Sequence, residues 1–89
     1  MITREVTVLN EVGLHARPAT FFIQKANEFK SFITIAKDER QVNAKSLLGV
    51  LSLGIVKGTK IVLTADGTDE TEAIDELEML IESSFADIE

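Results

Sequence analysis

Gly13, His15, Arg17 and Pro18 fall in one short string, Gly-Leu-His-Ala-Arg-Pro, and His15 and Pro18 are the chain's sole histidine and sole proline. Imidazole is the one side chain whose ordinary titration falls near neutral pH. When neutral it offers a nucleophilic ring nitrogen, and an arginine nearby offers a permanent cation. Gly13 lets the chain turn sharply. Pro18 is tolerated in a first helical turn, where its missing N–H has no helical partner anyway. A helix therefore starts close to His15, which sits near its N-cap. Arg17 precedes the proline and resists the α conformation, so its backbone is expected to be slightly unusual. The free N–H groups of Ala16 and Arg17, with the positive end of the helix and the Arg17 guanidinium, make an anion site. That positive end disfavours a second charge on the ring, so a neutral imidazole is expected. These parts fit phosphoryl transfer: His15 takes the group, and Ala16 and Arg17 hold the resulting dianion. A lone histidine at a helix start is equally compatible with a plain structural cap. A metal site is disfavoured, because the only nearby carboxylate is Glu11 and the chain has no cysteine. No spacing suggests a Ser, His and acid constellation.

These residues need a scaffold, and the patterning supplies one. Ile2 to Leu9 alternates as a half-buried strand, with Val6 and Val8 on one side. Asn10 to Gly13 reads as loop. From Ala16, apolar residues recur at helical spacing through Ala19, Phe22, Ile23, Ala26 and Phe29. Ser31 to Lys37 is β-branched and alternating, and Asp38-Glu39 is a short turn into the strand Arg40 to Asn43, although a tight hairpin usually wants glycine after the Asp. Ser46 to Gly54 is a short helix opened by an N-cap residue and closed by a C′ glycine. Lys60 to Gly67 is a strand. Thr68 or Asp69 then caps an acidic helix whose stripe runs through Ile74, Leu77, Leu80 or Ile81, and Phe85. The order is β-α-β-β-α-β-α, with no linker or repeat, so residues 1–89 form one domain of a sheet layer and a helix layer.

The short helix raises a second question. Ser46 is most simply its N-cap. Beside Lys45, at a helix start, it is also a place where a phosphate would be stabilised. Leu47, Leu48, Val50, Leu51 and Leu53 cover nearly the whole circumference, and a helix lying on a sheet cannot bury every side. If Val50 and Leu53 face the sheet, Leu47, Leu48 and Leu51 stay partly exposed, as core edge or as a docking surface.

The 89 residues carry a net charge of −6, unevenly spread. Residues 1–60 hold all nine Lys and Arg against five acids, for +4, whereas residues 61–89 hold ten acids and no base, for −10. Nucleic acid is an unfavourable partner for such a chain, since phosphate-backbone binding needs a broad basic face. An RNA-recognition module would share part of the element order but needs stacking aromatics, and the strands contribute only Phe32. Arg17, Lys45 and Lys25 suggest a positive rim for acidic partners. No apolar run approaches the roughly 20 residues of a membrane span, and the first residues do not resemble a signal peptide. A soluble, cytoplasmic protein is expected.

Gly-Leu-His-Ala-Arg-Pro at the head of the first helix, in a chain of this element order, resembles HPr, the histidine phosphocarrier of the phosphoenolpyruvate-dependent sugar phosphotransferase system. The resemblance covers essentially the whole chain. It implies an α+β fold, an open-faced β-sandwich with a four-stranded antiparallel sheet and three helices on one face. It implies that His15 accepts a phosphoryl group on Nδ1 from phosphorylated enzyme I, beside the active-site Arg17, and passes it to sugar-specific IIA domains, without turnover of its own and without a cofactor. Asn-Ala-Lys-Ser before the oily helix looks like the type found in low-GC Gram-positive bacteria, in which the serine matching Ser46 is phosphorylated by HPr kinase/phosphorylase. The modified form is a corepressor of the catabolite control protein. Leu47, Leu48, Leu51, Thr20 and Lys45 would then form the docking surface of a monomer. Nitrogen-type relatives share the histidine motif and remain an alternative, which the Ser46 segment argues against; purely regulatory relatives lack the histidine.

Overall fold

The protein is described from a computed structural model covering residues 1–11 and 13–83. Seven elements follow in the expected order: β1 (Ile2–Thr7), α1 (Ala16–Asn27), β2 (Phe32–Lys37), β3 (Arg40–Asn43), α2 (Leu47–Ser52), β4 (Lys60–Asp66) and α3 (Glu70–Glu82). The strands form one antiparallel sheet in the order β1-β4-β2-β3. Alternation sets its two faces. Val6, Ile33, Ile35, Ile61, Leu63 and Ala65 are buried beneath the helices. The other face is open, and a row of Thr3, Thr64, Thr34 and Asn43 crosses it in register. The fold is thus an open-faced α+β sandwich.

The helices close the core with the stripes their spacing predicts. α1 buries Ala19, Phe22 and Ala26, with Phe29 just beyond its end, and α3 buries Ala73, Ile74, Leu77 and Ile81. Leu80 is only partly buried, so Ile81 is the member of that pair facing the core. Phe85 lies outside the described residues. α3 packs over β1 and β4 while α2 packs beside β3, at the opposite end of the sheet, and α1 touches both helices. No helix among the described residues is long and apolar enough to cross a membrane.

Some boundaries differ from the expectation, each for a reason of hydrogen bonding. β1 stops at Thr7, because the Val8 N–H donates to the Thr59 carbonyl, before β4 begins. β2 starts at Phe32, because the Ser31 N–H donates to Asp69 at 3.0 Å. The hairpin between Lys37 and Arg40 needs no glycine, since Asp38 itself takes the left-handed conformation at φ 55°.

Asp69 holds the N-cap position of α3, yet its side chain makes no capping bond. Its carboxylate instead accepts from the Lys30 N–H at 2.8 Å, the Ser31 N–H and the Ser31 hydroxyl. Glu70 takes over the local role, accepting from the Gly67 N–H at 3.1 Å. Asp69 therefore ties the α1–β2 loop to the start of α3. The Ser31 hydroxyl and then the Lys30 amide hold its carboxyl below the ordinary aspartate range. A depressed folded value means that stability is present above the unfolded value, about 3.9, and is lost as pH falls through the folded one. Asp69→Ala is predicted to lower the Tm at pH 7 by about 5 °C or more. The gap to wild type should narrow progressively below about pH 4, as followed by thermal melts across pH.

Candidate functional site

His15 is the N-cap of α1, with extended backbone (φ −126°, ψ 159°) and no side-chain capping bond. Its ring is exposed. The plain structural-cap role is thus not the one it performs. What places the ring is the loop before it. Gly13 adopts φ +61°, and a Cβ there would lie 2.2 Å from the Ile55 carbonyl oxygen. The Gly13 N–H donates to the Asn10 carbonyl and the Leu14 N–H to the Ile55 carbonyl, both at 3.1 Å. The Asn10 side-chain amide donates to the Gly13 carbonyl at 2.7 Å. Leu14 is fully buried. The chain is therefore pinned up to the residue before His15 and released at the ring. Lys57 reaches across the same loop to Glu11 at 2.8 Å and holds its carboxyl below the ordinary glutamate range.

α1 continues straight through Arg17 and Pro18, so the pre-proline position is helical after all. The first N–H groups of any helix lack intrahelical acceptors, and the helix dipole adds positive charge there. Arg17 is exposed and makes no ion pair with a described residue, and its guanidinium carbon lies 5.9 Å from the Phe21 ring centroid, one turn on. An exposed imidazole, a helix N-terminus and an uncommitted guanidinium thus meet at one end of α1. Together they can present a nucleophile to an incoming anion and neutralise the anion once attached.

α2 behaves as its composition requires. The Ser46 hydroxyl accepts from the Gly49 N–H at 3.2 Å and caps it. Leu53 ends it, and Gly54 follows at φ +62°. The far end is held from the β2–β3 hairpin: Lys37 Nζ donates to the Leu53 and Gly54 carbonyls, each at 3.1 Å, and Arg40 Nη1 donates to the Ser52 carbonyl at 2.6 Å. Val50 and Leu53 are buried, whereas Leu47 is 42% and Leu48 81% exposed; Leu51 is half-buried. Thr20 is exposed on α1, one turn beyond Ala16.

Two cations of the expected positive rim are held within the chain. Lys45 Nζ donates to the Phe29 carbonyl at 2.7 Å, where it satisfies the chain leaving α1. Lys25 is paired with Glu28 at 3.4 Å and Glu76 at 3.5 Å. Of the three expected cations, Arg17 alone makes no hydrogen bond or ion pair with a described residue; its contact is the Phe21 ring. Lys45 and Ser46 also stand beside the C-terminal end of α1, since the Asn27 amide donates to the Lys45 carbonyl at 3.4 Å. Ile55, past the other end of α2, touches the His15 loop. α2 therefore runs alongside α1 in the opposite direction, with Ser46 and His15 at opposite ends of α1. The clamp formed by Asn10 and Ile55 escaped sequence reasoning, and its one local signal was an asparagine three residues before a turn glycine.

The chain matches a family model described as the PTS HPr component phosphorylation site over residues 2–83. It is 48% identical over 82 residues to the HPr-like protein Crh of Halalkalibacterium halodurans, covering 92% of this chain and 98% of the relative. It is 40% identical over 87 residues to the phosphocarrier protein HPr of Neisseria meningitidis, covering 98% of each. Among solved structures, an HPr from Thermoanaerobacter tengcongensis superposes with a TM-score of 0.95 at 48% identity, over 97% of each chain.

Proposed function

The chain belongs to the HPr family of phosphocarrier proteins, and on that premise we propose that His15 is the phosphoryl acceptor and donor of a sugar phosphotransferase chain in the cytoplasm. The observation that carries the reading is the exposed His15, without a side-chain capping bond, at the N-terminus of a twelve-residue helix beside an exposed Arg17 that makes no ion pair with a described residue. The Nδ1 lone pair attacks phosphorus as the bond to phosphorylated enzyme I breaks, and the phosphoryl group comes to rest on His15. The Ala16 and Arg17 amides and the Arg17 guanidinium neutralise the dianion. The reverse sequence of bond changes delivers the group to a IIA domain. Leu47, Leu48 and Leu51, with Thr20 and Lys45 at their margin, form the surface on which these partners dock in turn. We propose that the carrier acts as a monomer.

The experiment is incubation with phosphoenolpyruvate, magnesium and enzyme I. An acid-labile phosphoryl group should appear on His15, and a protein that stays unlabelled would refute the reading. Arg17→Glu, which places a carboxylate where the dianion must sit, is predicted to slow the transfer about 100-fold or more in single-turnover kinetics.

Ser46 is proposed as a separate regulatory site, phosphorylated from ATP by HPr kinase/phosphorylase to give a poorer acceptor from enzyme I and a corepressor for the catabolite control protein. Ser46→Ala is predicted to abolish acid-stable label from that kinase while leaving His15 phosphorylation intact. Loss of the cap should cost about 1 kcal/mol, read as a Tm lowered by about 4–8 °C. A second reading, an HPr-like protein serving regulation alone, draws on the similarity, at 41% identity, to Crh, the catabolite repression HPr of Bacillus subtilis. The presence of His15 favours carriage.

A further inference from the structure

Asn10 is a polar side chain only 6% exposed, and no other polar side chain is buried among the described residues of its loop. Its amide nitrogen donates to the Gly13 carbonyl at 2.7 Å, while its Oδ1 is buried without a partner among the described residues. An unpaired buried oxygen is a standing cost, and an apolar residue would avoid it. What the amide does in return is local. The Gly13–Leu14 peptide group is gripped at both ends: its carbonyl accepts from Asn10, and its N–H donates to the Ile55 carbonyl at 3.1 Å. That single plane sets the direction in which the chain enters His15. The ring makes no capping bond of its own to correct an error. Its angle to the first amides of α1 is therefore inherited from this clamp.

From this we infer that Asn10 is a positioning residue for phosphoryl transfer at His15, acting through the Gly13 carbonyl. The inference rests on the reading of His15 as the phosphoryl acceptor. Asn10 does not touch the phosphoryl group. Without its amide, the Gly13–Leu14 plane is held at one end only, and the ring and the amides of Ala16 and Arg17 lose their fixed relation. Docking, which uses the α2 leucines, is unaffected.

The test uses the full chain with enzyme I, phosphoenolpyruvate and magnesium. Asn10→Ala removes the clamp, and the near-isosteric Asn10→Asp replaces its donor with an acceptor. In both, kcat for phosphorylation should fall about ten-fold, with KM within two-fold of wild type. Ile74→Val, a mild cavity in the core under α3, serves as the control for lost stability and should keep the wild-type kcat. If Asn10→Ala does not fold, Asn10→Asp is read alone. Wild-type kcat in a folded Asn10 variant, a change carried by KM alone, or a loss of fold in both variants each overturns the inference. Wild-type protein that takes no phosphoryl group overturns instead the reading of His15 on which it stands.

Discussion

His15→Ala is expected to take no acid-labile phosphate from enzyme I and yet to melt within about a degree or two of wild type. The first half of that result follows from the absence of any other imidazole in the chain, since neither Ser46 nor a carboxylate can replace a neutral ring nitrogen as acceptor under the same donor. The second half follows from the ring's surroundings. It is exposed and makes no capping bond, so truncation removes neither packing nor a hydrogen bond. Exposed substitutions of this kind cost no more than about 0.5 kcal/mol. The pairing of total functional loss with an intact fold separates a carrier histidine from a structural one. A phosphoryl label that persists in His15→Ala, or a fold that collapses, would place the histidine among the scaffold residues.

Gly13→Ala is the converse case, in which a substitution outside the reacting groups damages both fold and transfer. The residue sits at φ +61°, where a Cβ costs about 1–2 kcal/mol. That Cβ would also stand 2.2 Å from the Ile55 carbonyl oxygen and 2.7 Å from the Val56 Cα. Both are backbone atoms, so no side chain can swing aside, and relief requires the loop and the β4 approach to part. Strain of this sort adds about 1–3 kcal/mol. A combined loss of about 2–5 kcal/mol is a large share of the stability of a small domain. Urea titration should show it as a lower midpoint. Because the parting loop carries His15, phosphoryl transfer in the folded fraction should fall as well. A midpoint equal to wild type would mean that the loop has room the geometry denies it.

Most of the scaffold was readable before any coordinates. Periods of two and 3.6 placed β1, α1, β2 and α3, and residue types placed α2 between the Ser46 cap and the Gly54 stop, because those signals act over a few residues. What stayed hidden acts over long separations. Asp69 carried the signature of a helix cap, but amides 38 and 39 residues away, in the α1–β2 loop, claim its carboxylate. Lys25 and Lys45 read as rim cations, and only the fold brings Glu76 and the Phe29 carbonyl to them. The site divides in the same way. His15, Arg17 and the exposed leucines follow from local pattern. The clamp on Gly13 does not, because Ile55 is more than forty residues from the loop it holds.

Six residues are too few to stay helical unaided, but α2 is fastened at its start by Ser46 and at its finish by Lys37 and Arg40. Its leucines are consequently a hard stamp and not a soft one. On the proposed carrier reading, each visiting protein would meet the same preformed relief, with little ordering left to do at contact. Such a surface would suit brief, repeated encounters with unrelated shapes, so that a messenger shuttling between many addresses could let go as readily as it lands.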